Sequence, residues 1–285
     1  MPRWAAFRYS IPIRRTGVTT LLLQTIKEKL DDYVLNSPQN IVNELETMRI
    51  YDQPLVGVAG VEDALWKKLK DTDVVGPQHL SPQEWLVGAK SVVSYFLPYT
   101  QRIRRSNCSE GFPSTEWLYG RYEGEMFNNA LCSFVVDLIK KAGGRAIAPS
   151  IDKRLTVVNR RSNWSERHVA FIAGLGTFSL NRSMITSLGS AGRFGSVIVD
   201  FELEPTQRLY KEFDEYCTKC GVCIDRCPPQ AISEKGKDNG ICSHFLDEVR
   251  ERYKPRYGCG KCQTSVPCED KNPKEKVYES MMAVK

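Results

Sequence analysis

The chain has 285 residues, 41% of them hydrophobic and 26% charged, and a formal net charge of +6 at pH 7. That length suits two domains of ordinary size, and no uncharged apolar run approaches the length that crosses a bilayer, so a helical membrane protein is excluded. A charge this modest permits an acidic partner without requiring one.

Residues 1–18 carry Arg3, Arg8, Arg14 and Arg15 with no acid. Arg14-Arg15 ahead of Leu21-Leu22-Leu23 faintly resembles a twin-arginine export signal. The apolar stretch is short, however, Lys27-Glu28-Lys29 ends it, and no small-residue cleavage site follows. The segment therefore reads as a basic arm and the protein as cytoplasmic. Helical patterning runs from Thr19 to about Leu35, and Ser37-Pro38 opens a second predicted helix to about Met48. Residues 1–49 are thus an arm with helices.

Strands and helices alternate from there. Pro54–Ala59 reads as a short buried strand and Val61–Lys70 as an amphipathic helix. Ser81-Pro82-Gln83-Glu84 has the form of a capping box with proline at the first helical position. Ser91–Leu97 is the next strand. The clearest helix places Phe127, Leu131, Phe134, Val135 and Leu138 on one face and stops at Gly143-Gly144. Strands over Arg145–Ala148 and Gly195–Phe201 flank a helix over Ser165–Ala173. Residues 50–208 therefore predict a mixed α/β layer fold. Residues 209–270 form a second, cysteine-rich domain, and the lysine-rich tail 271–285 reads as solvated.

Of the ten cysteines, Cys108 and Cys132 stand apart as ordinary thiols, and eight fall between Cys217 and Cys268. Cys217, Cys220, Cys223 and Cys227, with Pro228 behind them, make a C-x2-C-x2-C-x3-C-P run. This is the bacterial ferredoxin pattern, in which three thiolates hold one cubane cluster and the fourth reaches across to another. Three cysteines on a tight loop cover three corners of a cube; Gly221 permits the sharp path and Pro228 turns the chain away. By the same crossed logic, Cys217, Cys220, Cys223 and Cys268 would hold one [4Fe-4S] cluster, and Cys227, Cys242, Cys259 and Cys262 the other. The five residues between Cys262 and Cys268 depart from a simple repeat, which leaves the partition open. Zinc sites usually pair C-x2-C knuckles across a longer spacer, and a disulfide framework needs an oxidising compartment.

The stretch Ala173-Gly174-Leu175-Gly176 to Asn181 is rich in glycine. A dinucleotide fingerprint needs a strand before it and a helix after it, whereas here a helix comes first. Gly189-Ser190 and Gly195-Ser196 continue the theme. Such glycines mark sharp turns or backbone lying against something large and flat, and helix-ending loops explain them equally well.

Glu166-Arg167-His168-Val169-Ala170, the loop Ala173–Gly176, Asn181, Met184-Ile185-Thr186, Gly189-Ser190 and Phe194–Asp200 resemble the core of the epoxyqueuosine reductase and reductive dehalogenase superfamily. Leu80–Leu86 and Ala89–Val93 resemble its N-terminal half. The resemblance covers residues 50–270. It implies an α/β (α+β) fold: a nitroreductase-like mixed-sheet domain that binds cobalamin, followed by a ferredoxin-like domain with two [4Fe-4S] clusters. It further implies base-off cobalamin, with Gly174, Leu175, Gly176, Asn181, Gly189, Ser190, Gly195 and Ser196 along the corrin and its nucleotide tail. No D-x-H-x-x-G motif surrounds His79, His168 or His244, in keeping with the base-off mode. Two positions depart from the family: Ser179 stands where it carries glycine, and Leu180 where it usually carries a cation. The family's acid after the strand corresponding to 145–148 makes Asp152 a candidate proton donor, although extra residues precede Glu166. The dehalogenases' tyrosine with a basic neighbour makes Tyr119 and Arg121 the other candidates.

The resulting expectation is an oxidoreductase. A low-potential donor, ferredoxin or flavodoxin, would supply electrons through two clusters to cobalamin for reductive chemistry on a small molecule or on tRNA. The alternative is a non-catalytic electron-transfer or corrinoid-handling protein serving a partner enzyme. A third reading is a ferredoxin domain fused to a flavin-binding one.

Overall fold

A computed structural model describes residues 19–275, with side chains from residue 23. The basic arm 1–18 and the tail beyond 275 lie outside the described residues. Helix α1 (Thr19–Asn36) takes the expected span. The second predicted helix does not form. In its place stand a 3-10 turn, Pro38–Asn40, and a two-residue pairing of Ile41–Val42 with Met48–Arg49. Asn40 supplies the reason. Its buried amide donates to Val34 O (2.8 Å) and Tyr51 O (2.9 Å) and accepts from Tyr51 N (2.9 Å). A side chain that satisfies backbone groups in this way competes with a helix, and the β-branched Ile41 and Val42 favour extension.

Four antiparallel strands form the central sheet: β1 (Leu55–Gly60), β2 (Ser91–Pro98), β3 (Ala146–Ile147) and β4 (Gly192–Val199), in the order β1-β2-β4-β3. β2 and β4 pair from Ser91 opposite Val199 to Pro98 opposite Gly192. Every residue of β2 is buried, because both faces of the strand are covered. Val93, Tyr95 and Leu97 meet Leu30 of α1 and Phe127, Leu131 and Val135 of the long helix α2 (Thr115–Lys141). Val92, one residue out of phase, joins Trp66, Trp85, Trp164 and helix α3 (Glu166–Ile172) on the other face. That alternation is the strand's period of two.

Pro82–Trp85 forms one helical turn with the expected capping box: Ser81 Oγ accepts from Glu84 N (3.4 Å), and Ser81 N donates to the Glu84 carboxylate (2.7 Å). Ser81→Ala is expected to cost about 1 kcal/mol, seen as a lower urea midpoint at unchanged slope.

The thiol-rich domain contains a one-turn helix, Val222–Asp225, a hairpin of Ile232–Ser233 with Gly236–Lys237, and helix α4 (Asn239–Tyr253). Asp238 caps α4 by accepting from Ile241 N (3.0 Å). Polar ties dock this domain on the sheet domain. Arg104 reaches Glu269 and Asp270 at 3.1 Å each, and Gln263 donates to Ser190 O (2.7 Å). Gly260 fits flat beneath Trp117: a Cβ there would stand 1.8 Å from the indole.

Candidate functional site

The eight clustered cysteines fall into two neighbourhoods. Burial pushes the Cys223 thiol up to about 12, and the charges of Cys262, Cys268, Cys217 and Cys220 push the same way. Cys268, half-buried, is pushed up to about 11 by desolvation, with Cys217 and Cys220 acting the same way. Cys259, half-buried, is pushed up to about 12 by desolvation, with Cys262, Cys242 and Cys227 acting the same way. Cys217, Cys220, Cys223 and Cys268 line one cleft and Cys227, Cys242, Cys259 and Cys262 another, which fits two sets of four thiolate ligands. All ten cysteines are free, so no disulfide framework forms. Among the described residues no three His, Cys, Asp or Glu side chains are placed to hold a single metal ion. Gly221 (φ +78°) and Gly260 (φ +68°) take left-handed backbone in the two cysteine loops. Ala231 N donates to Cys227 Sγ at 3.2 Å.

Cys220 is exposed, so the first group opens to solvent. The second group, Cys227, Cys242, Cys259 and Cys262, walls a cavity of about 480 Å³ between the two domains. A space of that size holds a small organic ligand or part of a larger one. Its other walls come from α2 (Trp117, Arg121, Asn128), α3 (Glu166, Arg167), Asn181 and the start of β4. Three polar groups on these walls are buried without a hydrogen-bond partner among the described residues: Trp117 Nε1, Arg193 Nε and both carboxylate oxygens of Glu166. Buried polar groups are nearly always paired. These orphans therefore fit a bound molecule that carries its own donors and acceptors, as an amide-rich macrocycle does.

Glu166 is the residue that the sequence did not single out. Its carboxylate is withdrawn from water, and burial raises its pKa to about 7. The Ser196 hydroxyl and Trp164 indole nearby pull it down, and the Glu125 charge pushes it further up. The indole N–H donates to the Ser196 hydroxyl at 3.0 Å, and the carboxylate oxygens themselves have no hydrogen-bond partner among the described residues. Arg193, on the same cavity wall, is paired with Glu125. The helical pattern around Glu166 predicts α3, but nothing in that pattern marks which residue of so short a helix faces a cavity.

Of the residues expected along a corrin, only Asn181 lines the cavity. It donates to Cys262 O (2.6 Å) and accepts from Ser179 Oγ (2.6 Å). Ser179, a departure from the family, thus orients Asn181. The glycines face protein. A Cβ on Gly174 would meet Thr206, on Gly176 the Ile185 backbone, on Gly189 the Glu269–Asp270 backbone, and on Gly195 the Tyr95 ring. Leu175 packs with Ala170 and Met184. Ser190 N donates to Cys268 O (2.9 Å), and Ser196 accepts from Trp164. Among the three proton-donor candidates, Arg121 reaches the cavity. Asp152 is bound to Arg154 (2.9 Å), which holds its carboxyl below the usual range, and Tyr119 lies under the Arg256 guanidinium at 3.5 Å.

Residues 211–233 match the family model of the 4Fe-4S binding domain. The match takes in the loop of Cys217, Cys220, Cys223 and Cys227, behind the sheet domain. The epoxyqueuosine reductase of Bacillus anthracis is 28% identical over 204 residues, covering 66% of this chain and 50% of that one. The chain spans about half the length of the curated relatives it matches. An epoxyqueuosine reductase solved with an epoxyqueuosine-modified tRNA-Tyr stem loop is similar in fold, with TM-score 0.51 and 21% identity, over 87% of this chain and 66% of that one. A reductive dehalogenase studied for B12-dependent dehalogenation has TM-score 0.54 and 13% identity, over 81% and 32%. The chain is thus similar in sequence to epoxyqueuosine reductases and similar in fold to a reductive dehalogenase. Among the described residues no helix is long and apolar enough to cross a membrane.

Proposed function

We propose that this chain is an iron–sulfur, corrinoid-dependent reductase. The observation that carries the reading is the position of the second thiol group, which forms a wall of the cavity that Glu166 faces. Cys217, Cys220, Cys223 and Cys268 would hold one [4Fe-4S] cluster, and Cys227, Cys242, Cys259 and Cys262 the other. Part of a base-off cobalamin would occupy the cavity, with Trp117 Nε1 and Arg193 Nε as donors, Glu166 as a hydrogen-bonding acid and Asn181 beside the cluster loop. When bound, the clusters supply single electrons and the corrinoid a strongly reducing metal centre.

The chain's own groups do the rest. The exposed rim at Cys220 gives a ferredoxin or flavodoxin access to the first group. The second group, none of whose cysteines is exposed, and the apolar Met184 and Phe194 limit bulk water at the reducing end. Glu166 holds a proton inside the cavity, and Arg121 presents a cation there. The substrate would be a small molecule or a modified tRNA; the likeness to a tRNA-bound reductase supports the latter. Enclosure of the cavity by both domains favours a reductase over a corrinoid carrier, which would expose its cofactor.

Cobalamin added to the anaerobically reconstituted protein is expected to bind with its optical bands shifted to the base-off form. Trp117→Phe, which removes one orphaned donor, is expected to weaken that binding about fivefold to tenfold, the worth of one hydrogen bond. Protein that takes up iron fully yet binds no corrinoid would overturn the reading.

A further inference from the structure

Charge is distributed unequally around the two thiol groups. Beside the second, Lys261 is 1% exposed, and its ammonium donates to Ser109 O (2.7 Å) and Asn107 O (3.2 Å). No carboxylate pairs with it among the described residues; of the acidic groups acting on it, the Cys259 thiol acts most strongly. Arg226 lies against the same loop, donating to Cys108 O (2.8 Å), Asn107 O (3.2 Å) and Thr264 O (3.2 Å), again with no carboxylate partner among the described residues. Lys237 lines the same cavity as Cys227, Cys242, Cys259 and Cys262.

The first group differs. Lys219 is paired with Asp214 (3.1 Å), and Arg104 is shared between Glu269 and Asp270 (3.1 Å each).

Two neighbouring cations held by carbonyl dipoles, one of them almost wholly buried, are costly unless an anion stands close by. A thiolate-bound cluster is such an anion, and reduction makes it more negative, so fixed cations favour its reduced state. Net charge, hydrogen bonds to sulfur and solvent exposure together set the potential of an iron–sulfur centre. Exposure at Cys220 alone would favour reduction of the first cluster, and burial of the second would disfavour it. The cations beside the second group act against that order.

We propose that Lys261, Arg226 and Lys237 hold the second cluster at the higher reduction potential, so that an electron delivered at the exposed rim runs downhill to the cavity. One electron leaves the first cluster, which is oxidised, and arrives on the second, which is reduced; no atom or proton moves between them. The initial electron comes from the low-potential protein donor. This inference rests on the two-cluster reading of the same site.

A redox titration followed by electron paramagnetic resonance on the anaerobically reconstituted protein tests it. Two potentials are expected. Lys237→Gln, on the hairpin and outside the Lys261 clamp, lowers only the higher one, by about threefold in electron occupancy. Lys261→Gln lowers the same potential by about tenfold, which is about 59 mV for a one-electron couple, and Lys261→Arg restores it. A single reducible cluster overturns the two-cluster reading and this inference with it. Two clusters whose potentials ignore both lysines, shift together, or respond only at the lower value overturn the inference alone.

Discussion

Replacing Glu166 by glutamine is expected to slow the reduction by about 10²- to 10⁴-fold, the usual contribution of a positioned general acid. The measurement is a single-turnover reduction driven by titanium(III) citrate, compared with wild type at equal iron content. Glutamine keeps the size and a hydrogen-bonding amide but has no proton to give. The pH profile carries the sharper signature. Burial lifts the Glu166 carboxyl from its ordinary 4.5 to about 7, so the neutral acid persists through weakly acid pH and activity falls as pH rises through about 7. The same shift makes a stability statement. Its contribution is complete below the unfolded value near 4.5 and is lost as pH rises towards 7, because the unfolded chain releases the proton first. Glu166→Gln removes both effects. An unchanged rate with an unchanged alkaline limb would remove Glu166 from the chemistry.

Gly260→Ala is expected to halve the iron content and leave the first cluster in place. The glycine has φ +68°, and a Cβ would stand 1.8 Å from Trp117, which is itself fully buried. Neither residue can give way, since Trp117 is packed against Tyr99 with ring centroids 5.0 Å apart. The strain falls on the loop between Cys259 and Cys262, one side of the second group. Iron and sulfide analysis after reconstitution reads the result; a full complement of both would show that the loop tolerates the methyl group. Gly221→Ala makes a useful contrast, because a Cβ there meets nothing within 4 Å, and only the left-handed backbone, at φ +78°, opposes it.

Much of this was readable from local chemistry. The capping box at Ser81–Glu84 and the buried run Ser91–Leu97 each depend on neighbours in sequence, and both form as expected. The long helix was seen from its apolar face and ends where Ala142 caps it and Gly143 turns at φ +85°. Its start at Thr115 lies well upstream of the face that marked it, because Tyr119, Arg121 and Glu123 carry no apolar rhythm. The failure at residues 38–48 has another cause. Asn40 reaches across to Tyr51, and a contact of that span leaves no periodic trace.

The cavity shows the same division. Cysteine spacing announced the metal chemistry, since ligand geometry is written in short intervals along one loop. The glycines marked either sharp turns or backbone beside a flat ligand; a Cβ on Gly176 would meet Ile185 and one on Gly195 would meet Tyr95, contacts that no local pattern announces. Glu166 was visible as a letter but not as a site. Only the meeting of α3, β4 and the second cysteine loop strips its carboxylate of partners.

The central claim is that eight thiols build two iron–sulfur clusters, the second of them at the cavity wall. Its most direct measurement is iron and acid-labile sulfide analysis of the anaerobically reconstituted chain, together with zinc analysis and a visible spectrum. The account predicts about eight iron atoms per chain, as two four-iron centres require, and absorption that bleaches on reduction. Zinc in stoichiometric amount, or thiols that take up no iron, would contradict it.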